Sequence, residues 1–250
     1  MPAQYAPTGG VGIRARLWRM GVAIRELHTA AEMADASRVM AAVWRTDVAP
    51  MEPGLLVALA HTDNYVAGAF DGDRMIGICV GFFHAPDESA LHSHIAGVLP
   101  GSAGSGVGRA LKEHQREWTL GRGVTRMTWT FDPLIARNAH FNIRRLGVRV
   151  IEYLPDLYGP MTDGLNRGEP SDRLFVEWDL SRPADLPPAP AREPRMIPVP
   201  ADVETLRVDD PSAARSARLA LRDQLGPLLS TGWTVVDFAD GAYVLDRERS

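Results

Sequence analysis

The stretch Leu91–Arg122, LHSHIAGVLPGSAGSGVGRALKEHQREWTLGR, decides how this sequence folds. Its opening, Leu91–Leu99, predicts a β-strand that ends at Pro100-Gly101. The residues that follow are small and rich in glycine as far as Arg109. Beyond them the spacing predicts a helix that Gly121 ends, with one face formed by Val107, Leu111, His114 and Trp118. The stretch therefore predicts a strand, a glycine loop and a helix.

The glycine loop favours binding of an anion. Small residues let several backbone N–H groups converge on one group, and a helix N-terminus adds about half a positive charge. A pyrophosphate fits such a loop, and a flexible surface turn is the alternative. The loop lacks the Lys-Ser/Thr ending of a P-loop and follows several strands, which argues against nucleotide triphosphate hydrolysis and against a dinucleotide-binding fold.

The remaining pattern predicts the fold class. Strands are predicted at Val22–Leu27, Tyr65–Phe70, Met75–Phe83, Thr125–Phe131, Val148–Tyr153 and Leu174–Leu180. Helices are predicted at Thr29–Arg45, with a capping box, and at Ala136–Leu146. Leu55–Ala60 is a further short apolar run. This order predicts an α+β protein with a mixed, mostly antiparallel central sheet flanked by helices.

Composition divides the chain into four predicted parts. Residues 1–20 read as a flexible arm, and residues 21–181 as the main domain. Residues 182–200 contain seven prolines and read as a linker or an extended arm. In residues 201–250 a helix begins at Asp210-Pro211, Pro227 should kink or end it, and a hairpin follows around Asp240-Gly241.

Charge and composition exclude several functions. A net charge of −4 and a pI near 6.0 give no global basic footprint for nucleic acid, so a nucleic-acid role would need a strongly local patch. No apolar run reaches the roughly 18 residues of a membrane helix, and no signal peptide is evident, so we expect a cytoplasmic protein. Cys79 is the only cysteine, which excludes an intrachain disulfide and a cysteine-based metal site. His92 and His94 have no third metal ligand at a suggestive spacing, so we expect no metal.

Longer strings point to a family. Val98-Leu99-Pro100, the glycine loop and the helix to Trp118 resemble motif A of the GNAT acyltransferase superfamily, and the segment ending Arg144-Arg145-Leu146-Gly147 resembles its motif B. The resemblance covers Val22 to Leu180 in element order. Four strings resemble a poorly characterised bacterial branch of the superfamily, in which some relatives are associated with N-succinylation of amino acids. They are Thr128-Trp-Thr-Phe-Asp-Pro, Ala136-Arg-Asn-Ala, Asp163-Gly-Leu-Asn and Ser171-Asp-Arg-Leu. The proline-rich segment and the C-terminal helix and hairpin also resemble that branch.

The resemblance implies binding of acetyl-CoA or another acyl-CoA as co-substrate. The implied contacts are the loop residues Ala103, Gly104, Ser105, Gly106, Val107, Gly108 and Arg109, the pantetheine-binding strand residues Ala96, Gly97 and Val98, and Asn138 on the motif B helix. A splay between this strand and Thr125–Phe131 would leave room for the thioester. Two positions depart from the family pattern. Ala103 replaces the usual Gln or Arg, and Ile143 replaces the tyrosine that usually protonates the leaving thiolate.

Acylation of an amine needs a base, and histidine titrates in the useful range. His92 and His94 lie two residues apart on one strand, so we expect their side chains to share a face. Their placement resembles the histidine pair of the arylalkylamine branch, and a structural role is the alternative. Asp132 and Glu88 are competing candidate bases, although Asp132-Pro133 is also a common turn start. Trp129, Tyr158 and Arg173 are candidates for binding the acceptor, although aromatic residues at strand spacing are more often part of a core.

The sequence therefore predicts an N-acyltransferase that moves an acetyl or succinyl group from coenzyme A to the amine of a small molecule, by direct attack on the thioester. A non-catalytic CoA-binding module is the alternative, and a protein-lysine acetyltransferase is a third hypothesis. The oligomeric state is left open, a homodimer included.

Overall fold

The computed structural model describes residues 21–182 and 194–247. The helices are α1 (Ala30–Trp44), α2 (Pro53–His61), α3 (Val107–Leu120), α4 (Ala136–Ala139), α5 (Val203–Asp209) and α6 (Pro211–Ser230). A 3₁₀ turn, Pro100–Ser102, precedes α3, and a π-helical turn, His140–Arg145, continues α4. The strands are β1 (Val22–Glu26), β2 (Tyr65–Asp71), β3 (Arg74–Phe83), β4 (Leu91–Val98), β5 (Arg126–Phe131), β6 (Arg149–Leu154), β7 (Arg173–Asp179), β8 (Arg195–Pro198), β9 (Trp233–Ala239) and β10 (Ala242–Arg247).

The strands form two sheets. Seven of them have the order β1-β2-β3-β4-β5-β7-β6, and the other three have the order β8-β10-β9. The pairs β1/β2, β2/β3, β3/β4 and β6/β7 are antiparallel. This mostly antiparallel sheet flanked by helices confirms the predicted fold class.

The described residues up to Met127 form one compact unit, and those from Thr128 onward form a second. In the first unit α1 and α2 pack on the sheet through a core that includes Met33, Met40, Leu56 and Ile78. The predicted capping box begins α1, since Thr29 Oγ1 accepts from the backbone of Glu32 and the Glu32 carboxylate accepts from the backbone of Thr29. Gly97 lies under the end of α1, where a side chain does not fit because a Cβ would come within 2.8 Å of the Trp44 ring.

In the second unit the C-terminal segment packs on residues 128–180. Tyr243, on β10, is fully buried, and its hydroxyl donates to the backbone oxygen of Pro133 at 2.6 Å. Asp210 caps α6 and Pro211 is its first residue, as the sequence predicts. Together β9, β10 and α6 form a continuous part of this unit rather than a free appendage.

The structure corrects several details of the predicted elements. Leu55–Ala60 lies in helix α2, where Pro53 occupies the first turn and supplies a helical φ. Helix α6 continues through Pro227 and ends at Ser230, because a proline one turn from the end removes only one late hydrogen bond. The predicted linker contains β8, which is an edge strand and so tolerates Pro198.

The predicted boundaries of the four parts stay predictions. The predicted N-terminal arm, residues 1–20, and residues 183–193 of the predicted linker lie outside the described residues. Within the described ranges, no helix combines the length and the apolar character needed to cross a membrane.

Candidate functional site

The glycine loop joins the end of β4 to the start of α3. After the 3₁₀ turn, Ala103 is extended, with φ −64° and ψ 145°. Gly104 and Gly106 have φ values of 75° and 99°, a region in which a side chain is strained, and the space around both is open. The backbone conformation therefore explains these two glycines.

The N-terminus of α3 is uncapped by any side chain. Its N-cap is Gly106, which has no side-chain acceptor, and the hydroxyl of Ser105 turns back to donate to the backbone oxygen of Ser102 at 2.6 Å. The first-turn N–H groups of an α-helix have no acceptor inside the helix, and they carry the positive end of its dipole. This arrangement suits an anionic ligand.

The other predicted CoA-binding residues have different surroundings. Ala96 is exposed on β4, whereas Gly97 faces Trp44, as described above. Val98 lies beside the first turn of α3, with its Cγ2 3.8 Å from the position of a Cβ at Gly108. Arg109 forms a 3.8 Å ion pair with Glu113, so its charge is partly compensated. Asn138 lies on α4 in the second unit and is half-buried.

The two predicted histidines lie together on β4. Register with β3 passes from Val80↔Ile95 to Gly81↔Ser93, so a β-bulge surrounds His94. The ring centroids of His92 and His94 are 6.0 Å apart, and both rings contact Phe82, at 5.3 and 5.5 Å.

Sequence reasoning missed a third histidine. The ring of His84 lies 6.2 Å from that of His92, and its Nδ1 lies 2.8 Å from Glu88 Oε2. The antiparallel pairing of the predicted strands could have indicated it, because His84 follows β3 directly opposite the start of β4. No group of three His, Cys, Asp or Glu side chains suited to a metal ion occurs within residues 21–182 and 194–247.

Burial weakens both histidines on β4 as bases. It lowers the pKa of His92 to about 4, with further lowering by His94, His84 and Lys112, and it also lowers the pKa of His94. Both imidazoles are consequently neutral at pH 7 and able to accept a proton. Their affinity for that proton is below that of an exposed histidine.

A buried lysine lies on α3, behind β4. Lys112 is 3% exposed, and its ammonium donates to Ser93 Oγ at 2.8 Å and to Gln115 Oε1 at 3.1 Å. Ser93 also donates to Gln115 Oε1, at 2.7 Å. This network, which we call the Lys112 network, connects α3 to β4. Lys112 follows Leu111 on the buried side of the helix, where Gln115 and Thr119 are buried as well, so the sequence pattern did not single it out.

Asp132 has structural partners on both oxygens. Its Oδ1 accepts from the backbone of Leu134 at 2.9 Å, and its Oδ2 lies 2.5 Å from Arg207 Nη2 and 3.8 Å from Arg173 Nη1. A base needs a lone pair that can reach the substrate, and here both oxygens are engaged in a buried cluster. The prediction that Asp132 acts as a base therefore loses its support.

Of the three predicted acceptor-binding residues, Trp129 lies in the core, whereas Tyr158 and Arg173 lie close to each other. Trp129 is buried, with its Nε1 donating to Asn142 Oδ1 at 3.2 Å and its ring against Trp178, so it is a core residue. Tyr158 is 48% exposed, and its hydroxyl lies 3.0 Å from Thr130 Oγ1. Arg173 is buried, with its guanidinium 5.8 Å from the Tyr158 ring.

Thr130, Tyr158 and Arg173, with Met161, form what we call the Arg173 cluster. Arg173 donates to the backbone oxygen of Asp172 at 3.0 Å and to the sulfur of Met161 at 2.7 Å. The cluster combines two hydroxyls, an aromatic ring and a guanidinium. Such a set can bind a polar ligand that carries an anionic group.

Comparison with solved structures defines the class of fold. An N-acetyltransferase from Staphylococcus aureus Mu50 superposes with a TM-score of 0.53 at 13% identity, over 64% of this chain and 98% of that one. The ribosomal-protein-S18-alanine N-acetyltransferase from Escherichia coli has a TM-score of 0.52 at 16% identity, over 69% and 98%. A GNAT-family acetyltransferase from Streptococcus pneumoniae has a TM-score of 0.52 at 13% identity, over 62% and 97%.

The chain therefore has the fold of the GNAT acetyltransferases, which confirms the resemblance found in the sequence. No family model matches the sequence, and no curated protein is significantly similar to it.

Proposed function

We propose that this protein is an N-acyltransferase that moves an acetyl or succinyl group from coenzyme A to the amine of a small molecule. The observation that carries the proposal is the glycine loop at the uncapped N-terminus of α3, in a chain with the GNAT fold. Structural neighbours named as N-acetyltransferases, among them one for an alanine of a ribosomal protein, support transfer to an amine, and a further neighbour is named as an aminoglycoside 6'-acetyltransferase.

The residues of the loop suit the pyrophosphate of an acyl-CoA. Gly104 and Gly106 have positive φ values and open space around them, a conformation in which backbone N–H groups can converge on an anion, and α3 adds its dipole. In the proposal, the loop from Ala103 to Arg109 holds the pyrophosphate, and Ala96, Gly97 and Val98 of β4 accompany the pantetheine. Asn138 stays a predicted contact.

In the proposed reaction the amine nitrogen attacks the thioester carbonyl, a C–N bond forms and the C–S bond breaks. Before attack the ammonium must lose a proton, which His92 or His94 accepts directly or through water. Ile143 is buried and has no proton to donate to the leaving thiolate. The nitrogen sheds a second proton after its bond to the carbonyl carbon has formed, and this proton balances protonation of the thiolate, directly or through solvent.

The Arg173 cluster is the proposed acceptor site. A guanidinium binds a carboxylate in a bidentate manner, and the Tyr158 and Thr130 hydroxyls can orient the remaining polar groups. This supports an amine that also carries a carboxylate, such as an amino acid. Trp129 is left out of the proposed site because its Nε1 donates to Asn142 and its ring packs against Trp178 in the core.

Thiol release from acetyl-CoA and succinyl-CoA, measured with a panel of amino acids and arylalkylamines, tests the proposal. We expect release with at least one pair, and at least a tenfold loss of kcat in the variant His92→Ala/His94→Ala. The matched control is His28→Ala/His61→Ala, which alters two exposed histidines. No release from any pair, together with no CoA binding by calorimetry, would show that the proposal is wrong.

The second candidate function is a non-catalytic CoA-binding module. Ile143, in place of a proton donor, and Ala103, in place of a Gln or Arg, favour it. It predicts CoA affinity without turnover, and an affinity unchanged by the double histidine substitution.

A further inference from the structure

About a third of this chain lies outside its superposition on each of the three neighbours described above. Between 62% and 69% of the chain already covers 97–98% of the three neighbours described above. The C-terminal helices α5 and α6 lie beyond the last strand of the seven-stranded sheet. Within the second unit, one residue of α5 reaches the Arg173 cluster through Asp132.

That residue is Arg207. Its Nη2 donates to Asp132 Oδ2 at 2.5 Å, and its Nη1 donates to the backbone oxygen of Leu165 at 3.3 Å. The side chains of Arg207 and Asp132 are 6% and 8% exposed. Low exposure makes this a desolvated charge pair. Removal of Asp132 would leave the Arg207 charge uncompensated, and removal of Arg207 would leave Asp132 with Arg173 as its cationic neighbour.

Asp132 has a second cationic neighbour, and the two distances differ. Arg173 Nη1 lies 3.8 Å from the same oxygen that Arg207 contacts at 2.5 Å. Coulomb attraction varies as the inverse of the distance, so it is about 1.5 times stronger at the shorter contact, which is also a charge-assisted hydrogen bond. Asp132 therefore pairs preferentially with Arg207, and its attraction compensates the charge of Arg173 less than that of Arg207.

The other contacts of Arg173 do not cancel this charge. They are a backbone oxygen and a thioether sulfur, both uncharged. A buried guanidinium in this state attracts an anionic ligand more strongly than one that is fully paired with a carboxylate. The residue that pairs with Asp132 thus controls how strongly Arg173 attracts an anionic ligand.

We propose that Arg207 is a positioning residue that keeps Asp132 from neutralising Arg173, so that Arg173 can bind a carboxylate of the acceptor. This inference rests on the proposed function for its substrate, an amine that carries a carboxylate. The additional C-terminal segment then contributes to recognition of the acceptor as well as to packing.

Two variants change, in opposite directions, how far an acidic neighbour compensates the charge of Arg173. In Arg207→Met, Asp132 loses its main partner and pairs with Arg173, which weakens carboxylate binding. In Asp132→Asn/Arg207→Gln, both buried charges of the pair are removed and no acid remains for Arg173, so carboxylate binding is maintained or strengthened. The double variant removes both charges of the Asp132–Arg207 pair but leaves the buried Arg173 without an acidic neighbour, so its melting temperature is measured first to show that it folds.

The test measures succinate affinity by calorimetry and KM for the carboxylated amine identified in the thiol-release panel. We expect Arg207→Met to raise the succinate Kd and this KM about tenfold with little change in kcat. For Asp132→Asn/Arg207→Gln both constants should equal or fall below those of the wild type. For an acceptor without the carboxylate, the KM values of the two variants should not differ in this way.

The matched control is Arg215→Met. Arg215 also lies in the C-terminal segment and pairs with an acid, Glu169 Oε1 at 3.0 Å, but it is exposed and does not contact Asp132. We expect its succinate affinity and KM to match the wild type. Arg207→Lys should restore part of the affinity lost in Arg207→Met.

Some results would overturn the inference. If the two test variants weaken succinate binding equally, or if wild-type protein does not bind succinate, Arg207 does not control Arg173 in this way. If the succinate affinities of the wild type and the variants follow the expected order but the wild type transfers no acyl group, the proposed function alone is contradicted.

Discussion

At the scale of single residues, Lys112 is the most unusual feature of the first unit. Its ammonium is buried among uncharged ligands in the Lys112 network. Burial lowers the pKa of Lys112 to about 8, although the nearby Cys79 has a small opposite effect. Holding the charged form at neutral pH therefore costs stability.

The substitution Lys112→Met tests this cost. Because the folded-state pKa of about 8 lies below the ordinary value of 10.5, the unfolded chain binds the proton more tightly, and the penalty is full below pH 8. The wild type should gain stability relative to Lys112→Met as the pH rises from 8 to 10.5, by about 3 kcal/mol. Urea unfolding at a series of pH values measures this difference.

Comparing the unfolding free energies of the wild type and Lys112→Met cancels the contribution of another titrating group, the Cys79 thiol. Burial raises the pKa of the Cys79 thiol to about 11, which destabilises the fold in alkaline solution, but Cys79 is present in both proteins. A difference in stability that stays constant between pH 8 and 10.5 would contradict the assignment of the lowered pKa to Lys112.

At the scale of elements, the important junction is that of the glycine loop with α3. Gly106 is both the N-cap and a residue with φ of 99°, so the direction of the first-turn N–H groups depends on it. A side chain at this position meets no neighbouring atom. Its effect would come from the backbone alone.

Gly106→Ala should therefore weaken CoA binding without disturbing the core. Strain from a positive φ costs roughly 1–2 kcal/mol, and a loop that relaxes from this conformation turns its N–H groups away from the ligand. We expect an increase in the CoA Kd of about tenfold, measured by calorimetry. Gly101→Ala is the control, since Gly101 also has open space but no positive φ. Equal effects of the two substitutions would argue against the loop as a CoA site.

At the scale of the whole molecule, the C-terminal segment completes the second unit. Asp172 is 2% exposed and accepts from Tyr153 at 2.7 Å and from Arg222 Nε at 2.9 Å. Burial alone would raise the pKa of Asp172, but hydrogen bonds from Arg222, Tyr153 and the backbone of Asp156 outweigh it and lower the pKa. The arginines of α5 and α6 thus stabilise buried carboxylates of residues 128–180.

A chain that ends at Arg182 should not fold as a stable protein. Asp132 and Asp172 would lose Arg207, Arg218 and Arg222, and breaking one buried ion pair costs about 3–5 kcal/mol, against a total stability of about 5–15 kcal/mol. We expect no cooperative thermal transition by circular dichroism. Full-length Arg137→Met, which breaks the more exposed pair with Glu204, should melt nearly as the wild type does. A truncated chain with the wild-type melting temperature would contradict this expectation.

Prediction succeeded where the information was local. The capping box of α1, the cap of α6 and the Asp240-Gly241 turn depend on side chains a few residues apart, and all three occur in the structure. Leu55–Ala60 had no such decisive signal, because a short apolar run suits a helix or a strand equally well. Its helical state in α2 depends on packing over the sheet.

The candidate site shows the same division. The sequence by itself determined the glycine loop, its strand and helix, and the pairing of His92 with His94, since periodicity and the conformational freedom of glycine act over short distances. The tertiary structure alone placed His84 beside His92, buried Lys112 and Trp129, and joined Asp132 to Arg207. These contacts join residues distant in sequence, and Asp132 and Arg207 are separated by 75 positions. The charge and burial of a side chain depend on such neighbours, which no local pattern specifies.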